Sequence, residues 1–67
     1  MPSNTAIPAK SLTLLEDQMQ HEYTACKKAE YYAQTFTDPG LKNLANTMAQ
    51  HHKTHFERLY NYLSSHA

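Results

Sequence analysis

Apolar residues recur at helical spacing in two long stretches of this chain. The first stretch aligns seven of them on one side of a helix: Leu12, Leu15, Met19, Cys26, Ala29, Ala33 and Phe36. The second aligns six more: Leu41, Leu44, Ala45, Met48, Leu59 and Leu63. Spacings of three and four residues are typical of amphipathic helices with one packed face. We therefore predict two helices, at about residues 12–36 and about residues 39–64.

A short polar break separates the two stretches at Thr37 and Asp38. Asp38 suits the N-cap of the second helix, and Pro39 suits its first helical position because proline has no amide hydrogen to satisfy there. A connection of residues 37–38 places the two helices side by side and antiparallel. We predict an all-α hairpin over residues 11–67.

Residues 1–10 show no periodicity and contain Pro2 and Pro8, which predicts a flexible N-terminal tail. The first helix has two candidate starts. Thr13-Leu14-Leu15-Glu16 matches a capping box, and Ser11 is an alternative, earlier cap.

A two-helix hairpin has one seam, and the two apolar stripes are broader than one seam. Ala25, Tyr32, Phe56 and Tyr62 widen them. Pairing of two hairpins into a four-helix bundle would bury these stripes. The sequence therefore predicts a homodimer.

Composition excludes several classes of protein. One cysteine, Cys26, rules out an intrachain disulfide, and six basic and six acidic residues cancel, which argues against a nucleic-acid partner. The chain has neither an apolar N-terminal run typical of a signal peptide nor the roughly 20 apolar residues needed to span a membrane. We expect a soluble, intracellular chain without a membrane partner.

Three of the five histidines fall within five residues of the second helix: His51, His52 and His55. His52 and His55 share the apolar face, and two imidazoles three residues apart can bind one ligand. A turn centred between Asp38 and Pro39 places Glu22 opposite His55. Glu22 is also the only carboxylate on the apolar stripe of the first helix, so it needs a partner to offset its desolvation.

Three interpretations of Glu22, His52 and His55 follow. The first is a buried hydrogen-bonded ionic network, the second a metal site, and the third redox catalysis at that metal. Zinc suits imidazoles plus one carboxylate better than iron or manganese does, and a twofold dimer would bring two such sets together as in di-metal carboxylate bundles. His51 and Cys26 are weaker candidate ligands, since His51 lies at the edge of the face and Cys26 suits a small buried residue.

The order of several short motifs resembles that of spore coat protein F-type (Coat F) domains, a ferritin-like family of endospore-forming Firmicutes. The matching motifs are Leu-x-x-Gln-Met-x-x-Glu at residues 15–22, Lys28, Tyr32-Ala33, Asp38-Pro39-x-Leu41 and Ala49-x-x-His52-x-x-His55. It covers about three-quarters of the chain.

The resemblance implies ferritin-like packing, a structural role in sporulation, and a location in the mother-cell cytoplasm and spore coat, where other coat proteins would be partners. The alternative it implies is a metal-binding protein with a storage or redox role. A ferritin-like iron site would have Glu where His52 stands, which argues against iron oxidation. No hydrolase, kinase or nucleotide motif occurs, so we expect no enzyme, with redox activity at a two-metal site left open.

Overall fold

The protein is an antiparallel hairpin of two α-helices. In the computed structural model, which describes residues 7–66, α1 spans Ala9–Thr35 and α2 spans Pro39–His66. The described residues form no strand, and the helices pack against each other. The prediction of an all-α helical hairpin is confirmed. Neither α1 nor α2 has an apolar stretch long enough to cross a membrane.

Helix α1 begins three residues earlier than the sequence predicted, directly after Pro8. Pro8 provides no side-chain cap, but its carbonyl oxygen accepts the first helical hydrogen bond from Leu12 N at 2.9 Å. Thr13 lies inside the helix and donates its hydroxyl to the Ala9 carbonyl. The predicted capping box is therefore wrong, because Ala9 and Lys10 are good helix formers and extend the helix to the proline. Residues 1–6 of the predicted tail, and Ala67, lie outside the described residues.

The turn between the helices is held by Asp38. Its carboxylate accepts a hydrogen bond from Leu41 N at 2.9 Å, and its carbonyl accepts one from Lys42 N at 3.0 Å. These two bonds make Asp38 the N-cap of α2, as predicted. On the other side of the turn, α1 ends where Phe36 becomes extended, and Lys42 Nζ donates to the Ala33 carbonyl at 2.9 Å.

Small side chains form the seam between the helices. The buried apolar residues are Cys26, Ala29 and Ala33 of α1 and Ala45 and Ala49 of α2. They sit three or four residues apart on each helix, and their size lets the two backbones approach closely. Of the predicted stripe of α2, Leu41, Leu44 and Met48 fall outside this seam and are about half exposed.

The two broad faces of the hairpin differ. One is covered by the contact of Tyr23 with Phe56, whose ring centroids lie 6.1 Å apart, and is bordered by charged side chains: Lys27, Glu30, Lys53 and Glu57. The other is a shallow groove, which we call the open apolar face. Its main exposed members are Tyr32, Leu41, Leu44 and Met48.

Candidate metal centre

Glu22 occupies the middle of the seam and is 8 % exposed. It follows the same heptad spacing as the apolar seam residues of α1, four residues before Cys26 and seven before Ala29. A carboxylate at such a position is desolvated by the opposing helix, so it must find hydrogen-bond donors or a cation. The residues of α2 opposite it provide the donors.

Two histidines converge on one oxygen of this carboxylate. His52 Nδ1 lies 2.6 Å from Glu22 Oε1, and His55 Nδ1 lies 3.5 Å from the same atom. A carboxylate only accepts hydrogen bonds, so the imidazole of His52 donates. One helical turn of α2 therefore presents both imidazoles to α1 at the height that the turn geometry predicted.

Gln18 completes the cluster, and sequence reasoning gave it no role. Its Nε2 donates to the second carboxylate oxygen, Glu22 Oε2, at 2.9 Å. The signal was available, because residues four apart on a helix are neighbours and a Gln–acid pair at that spacing forms a hydrogen bond. Gln18 leaves Oε1 as the oxygen that faces the imidazoles.

The cluster favours the ionised form of Glu22. The hydrogen bond from His52 is the main cause that lowers the pKa of the Glu22 carboxyl below its ordinary value of 4.5. Burial acts in the opposite direction, whereas the Gln18 hydrogen bond and the charges of both histidines lower the pKa further. The net direction is downward, so Glu22 is a carboxylate at neutral pH.

The spacing of these groups fits a metal ion. One ligand atom from each of Glu22, His52 and His55 lies within 4.8 Å of the other two. Two imidazoles and one carboxylate form a common three-ligand set for zinc. The structure therefore brings together the three residues predicted as metal ligands, while metal binding itself stays a prediction.

The two weaker candidates lie outside this group. Cys26 is buried, and its Sγ donates to the Ala49 carbonyl at 3.4 Å across the seam. His51 is exposed, and neither residue belongs to the cluster of three. Their positions favour structural and solvated roles, respectively.

The cluster also satisfies its own polar atoms without a metal. Within residues 7–66, no buried side-chain nitrogen or oxygen lacks a hydrogen-bond partner. A hydrogen-bonded ionic network and a metal site thus share the same geometry. They differ in whether a cation replaces the proton between His52 and Glu22.

Comparison with known proteins gives no match. No protein-family model, no curated protein and no solved structure matches this chain. The similarity to Coat F domains therefore stays a prediction from the sequence motifs. Function has to be inferred from the Glu22 cluster and from the open apolar face.

Proposed function

We propose that this chain is a structural assembly protein whose hairpins pair, as a homodimer, into a ferritin-like four-helix bundle. The observation that carries the proposal is the open apolar face. Tyr32, Leu41, Leu44 and Met48 are 40–56 % exposed there, although their types are those enriched in the cores of protein interfaces and domains. A contiguous exposed apolar patch of this kind marks an interaction site.

The side-by-side packing of the helices supports a second layer over this face. The described residues form two helices, α1 and α2, which pack side by side on each other. Stable domains bury their apolar faces between at least two layers of secondary structure. One hairpin is a single layer, and it leaves none of its described side chains fully buried.

A second copy of the same chain is the partner that suits the face. Among the described residues that line it, Lys28 is the one Lys, Arg, Asp or Glu, and the whole chain carries six basic and six acidic residues, so no strongly charged partner is required. A face paired with itself about a twofold axis buries both apolar patches at once, as most homo-oligomers do. Pairing through the opposite face would instead bury Lys27, Glu30, Lys53 and Glu57, at a large desolvation cost.

The sequence resemblance to Coat F domains supports the spore coat as the place of assembly. Synthesis in the mother cell and deposition in the coat, with other coat proteins as further partners, are part of the proposal. A fluorescent fusion in an endospore-forming host tests this part. A ring around the forming spore is expected, and fluorescence spread evenly through the mother cell would contradict it.

Substitution on the open apolar face tests the homodimer. Leu44→Lys places a charge in the proposed interface and should convert the dimer to a monomer, measured by light scattering during size-exclusion chromatography. Tyr60→Lys is the matched control, because Tyr60 has the same 56 % exposure as Leu44 but lies on the other side of α2. A parent chain that is monomeric at the highest soluble concentration would overturn the proposal.

A second candidate function is metal binding of the ferritin-like kind, with storage or redox roles as its extensions. The grouping of Glu22, His52 and His55 within 4.8 Å supports it. Elemental analysis of the native protein, together with melting curves with and without EDTA, separates it from a purely structural role. Stoichiometric metal and a lower melting temperature in EDTA are expected, and neither result would appear if the cluster is only an ionic network.

A further inference from the structure

We infer that one hairpin is by itself a complete three-ligand zinc site, formed by Glu22 Oε1 and one ring nitrogen each of His52 and His55. The inference rests on the metal-binding candidate above and goes beyond it. The sequence predicted one set of these ligands in each hairpin and a twofold dimer that brings two sets together. The structure groups the three ligand atoms of one chain within 4.8 Å of one another, so each set can hold an ion without the second.

The way Glu22 is held indicates a site of low coordination number. Gln18 Nε2 donates a hydrogen bond to Glu22 Oε2, and both imidazoles lie next to the other oxygen, Oε1. Glu22 can therefore offer one oxygen without breaking the Gln18 bond, whereas Ca²⁺ and other ions of high coordination number often take both carboxylate oxygens. One carboxylate oxygen and two imidazole nitrogens leave a single position of a zinc tetrahedron for water.

The ligand types favour zinc over iron and manganese. Affinity of nitrogen and oxygen sites rises from Mn²⁺ through Fe²⁺ to the later metals, and imidazole is a better ligand for zinc than for manganese. The site has two imidazoles and one carboxylate. The di-iron and di-manganese carboxylate bundles use more Glu than His.

The cluster lies beside the open apolar face. His52 lines that groove, and the His55 side chain is 51 % exposed. His55 follows Met48 by seven residues, which places both on the same side of α2. A bound ion would lie at the border of the face and be reached from solvent in a single hairpin.

Gln18 is a positioning residue in this arrangement. Hydrogen-bond donors to a ligating carboxylate hold its orientation, and their loss lowers metal affinity by about 10–100-fold. Gln18→Ala removes the donor to Oε2 and keeps all three ligands. Its expected effect is a weaker site with unchanged stoichiometry.

Zinc titration of the apo full-length chain, followed calorimetrically, tests the inference. The parent should bind one Zn²⁺ per chain, and the Leu44→Lys variant should bind the same amount with the same affinity even as a monomer. Glu22→Gln, His52→Ala and His55→Ala should each weaken binding by about 100-fold or more, and Gln18→Ala by about 10-fold. His51→Ala is the control, since it removes a neighbouring imidazole outside the cluster and should change nothing. Co²⁺ in place of zinc should give the intense visible absorption of a four-coordinate site.

The failures can be told apart. One Zn²⁺ per two chains, or loss of binding in Leu44→Lys, would overturn the single-chain site and leave the metal-binding candidate standing. No binding by the parent would overturn both and leave the homodimer proposal untouched. Equal weakening by His51→Ala and His55→Ala would overturn the assignment of ligands.

Discussion

At the scale of single residues, Glu22 is the one buried charged side chain among residues 7–66. Its carboxylate is buried in the seam and depends on His52, His55 and Gln18 for hydrogen bonds and compensating charge. Removal of one member of a buried polar group leaves the others desolvated and unpaired, which costs more than the pair contributes net. The residue therefore matters to stability whether or not a metal binds.

Glu22→Ala should lower the free energy of unfolding by about 1–3 kcal/mol, because it deletes the acceptor of the His52 and Gln18 hydrogen bonds. Urea denaturation with EDTA present measures the change without a metal contribution. Glu30→Ala is the control. Glu30 forms an exposed pair with Lys27 at 3.4 Å, and loss of such a solvent-screened surface pair should change the free energy of unfolding very little. Equal effects of the two substitutions would show that the Glu22 cluster does not stabilise the fold.

Acid should destabilise the protein through the same carboxyl. The pKa of Glu22 is lowered from 4.5 in the folded state, so its contribution is fully present above that ordinary value and is lost as pH falls through the folded pKa. Thermal melts from neutral pH to below pH 4.5 should show this loss. In Glu22→Gln the loss should be smaller, because the titrating group is absent. If Glu22→Gln lost as much stability in acid as the parent does, the lowered pKa of Glu22 would be contradicted.

At the scale of elements, local hydrogen bonds hold the two helix ends that meet at the hairpin turn. Helix α2 begins at Pro39, directly after Asp38, whose carboxylate accepts a hydrogen bond from Leu41 N. Gly40 keeps this cap free of crowding, since a Cβ there would lie 3.1 Å from Asp38 Oδ1. Helix α1 ends at an extended Phe36, and Lys42 of α2 donates to one of its last carbonyls. The hairpin turn is thus fixed from both helices.

Asp38→Ala should lower the free energy of unfolding by about 1 kcal/mol, the usual cost of a lost N-cap. Asp38→Asn should retain most of the stability, because the amide oxygen can still accept from Leu41 N. Urea denaturation measures both variants. An alanine variant as stable as the asparagine variant would show that the cap contributes nothing.

At the scale of the whole molecule, the seam and the open apolar face divide the apolar residues between them. The small residues Ala29, Ala45 and Ala49 are buried between the helices, while the larger Leu41, Leu44 and Met48 stay about half exposed. A core of alanines buries little apolar area per residue, and chains of this length seldom reach high stability without a metal or a partner. Stability of the hairpin is therefore expected to depend on assembly.

The melting temperature of the parent should rise with protein concentration, because pairing stabilises the folded chain by mass action. Leu44→Lys should melt at a lower temperature and show no such concentration dependence. Melting curves over a hundredfold range of concentration, recorded in EDTA, separate this effect from metal binding. A parent melting temperature independent of concentration would argue against the homodimer.

The sequence by itself determined the helices, their order and the meeting of Glu22 with the histidines. Apolar periodicity, Asp38 with Pro39, and a connection too short for any other path are local features, and local features fix an antiparallel hairpin. The height of Glu22 opposite His55 follows from that turn, because helical rise is constant along both elements. The start of α1 was missed, since the capping-box match at Thr13 competed with the helix propensity of Ala9 and Lys10.

Only the tertiary structure decided which residues of each apolar stripe are buried between the two helices and which stay exposed beside them. The helical wheel places Leu44 and Met48 together with Ala45 on one apolar stripe, and it cannot tell a seam from a flank. Close approach of two backbones selects the smallest side chains, so Ala45 and Ala49 are buried and the larger residues are turned to the open apolar face. The same packing determined that Gln18 donates to one carboxylate oxygen of Glu22, while both imidazoles face the other oxygen. Side-chain directions depend on how the two helices are rotated about their axes, and the sequence alone does not give that rotation.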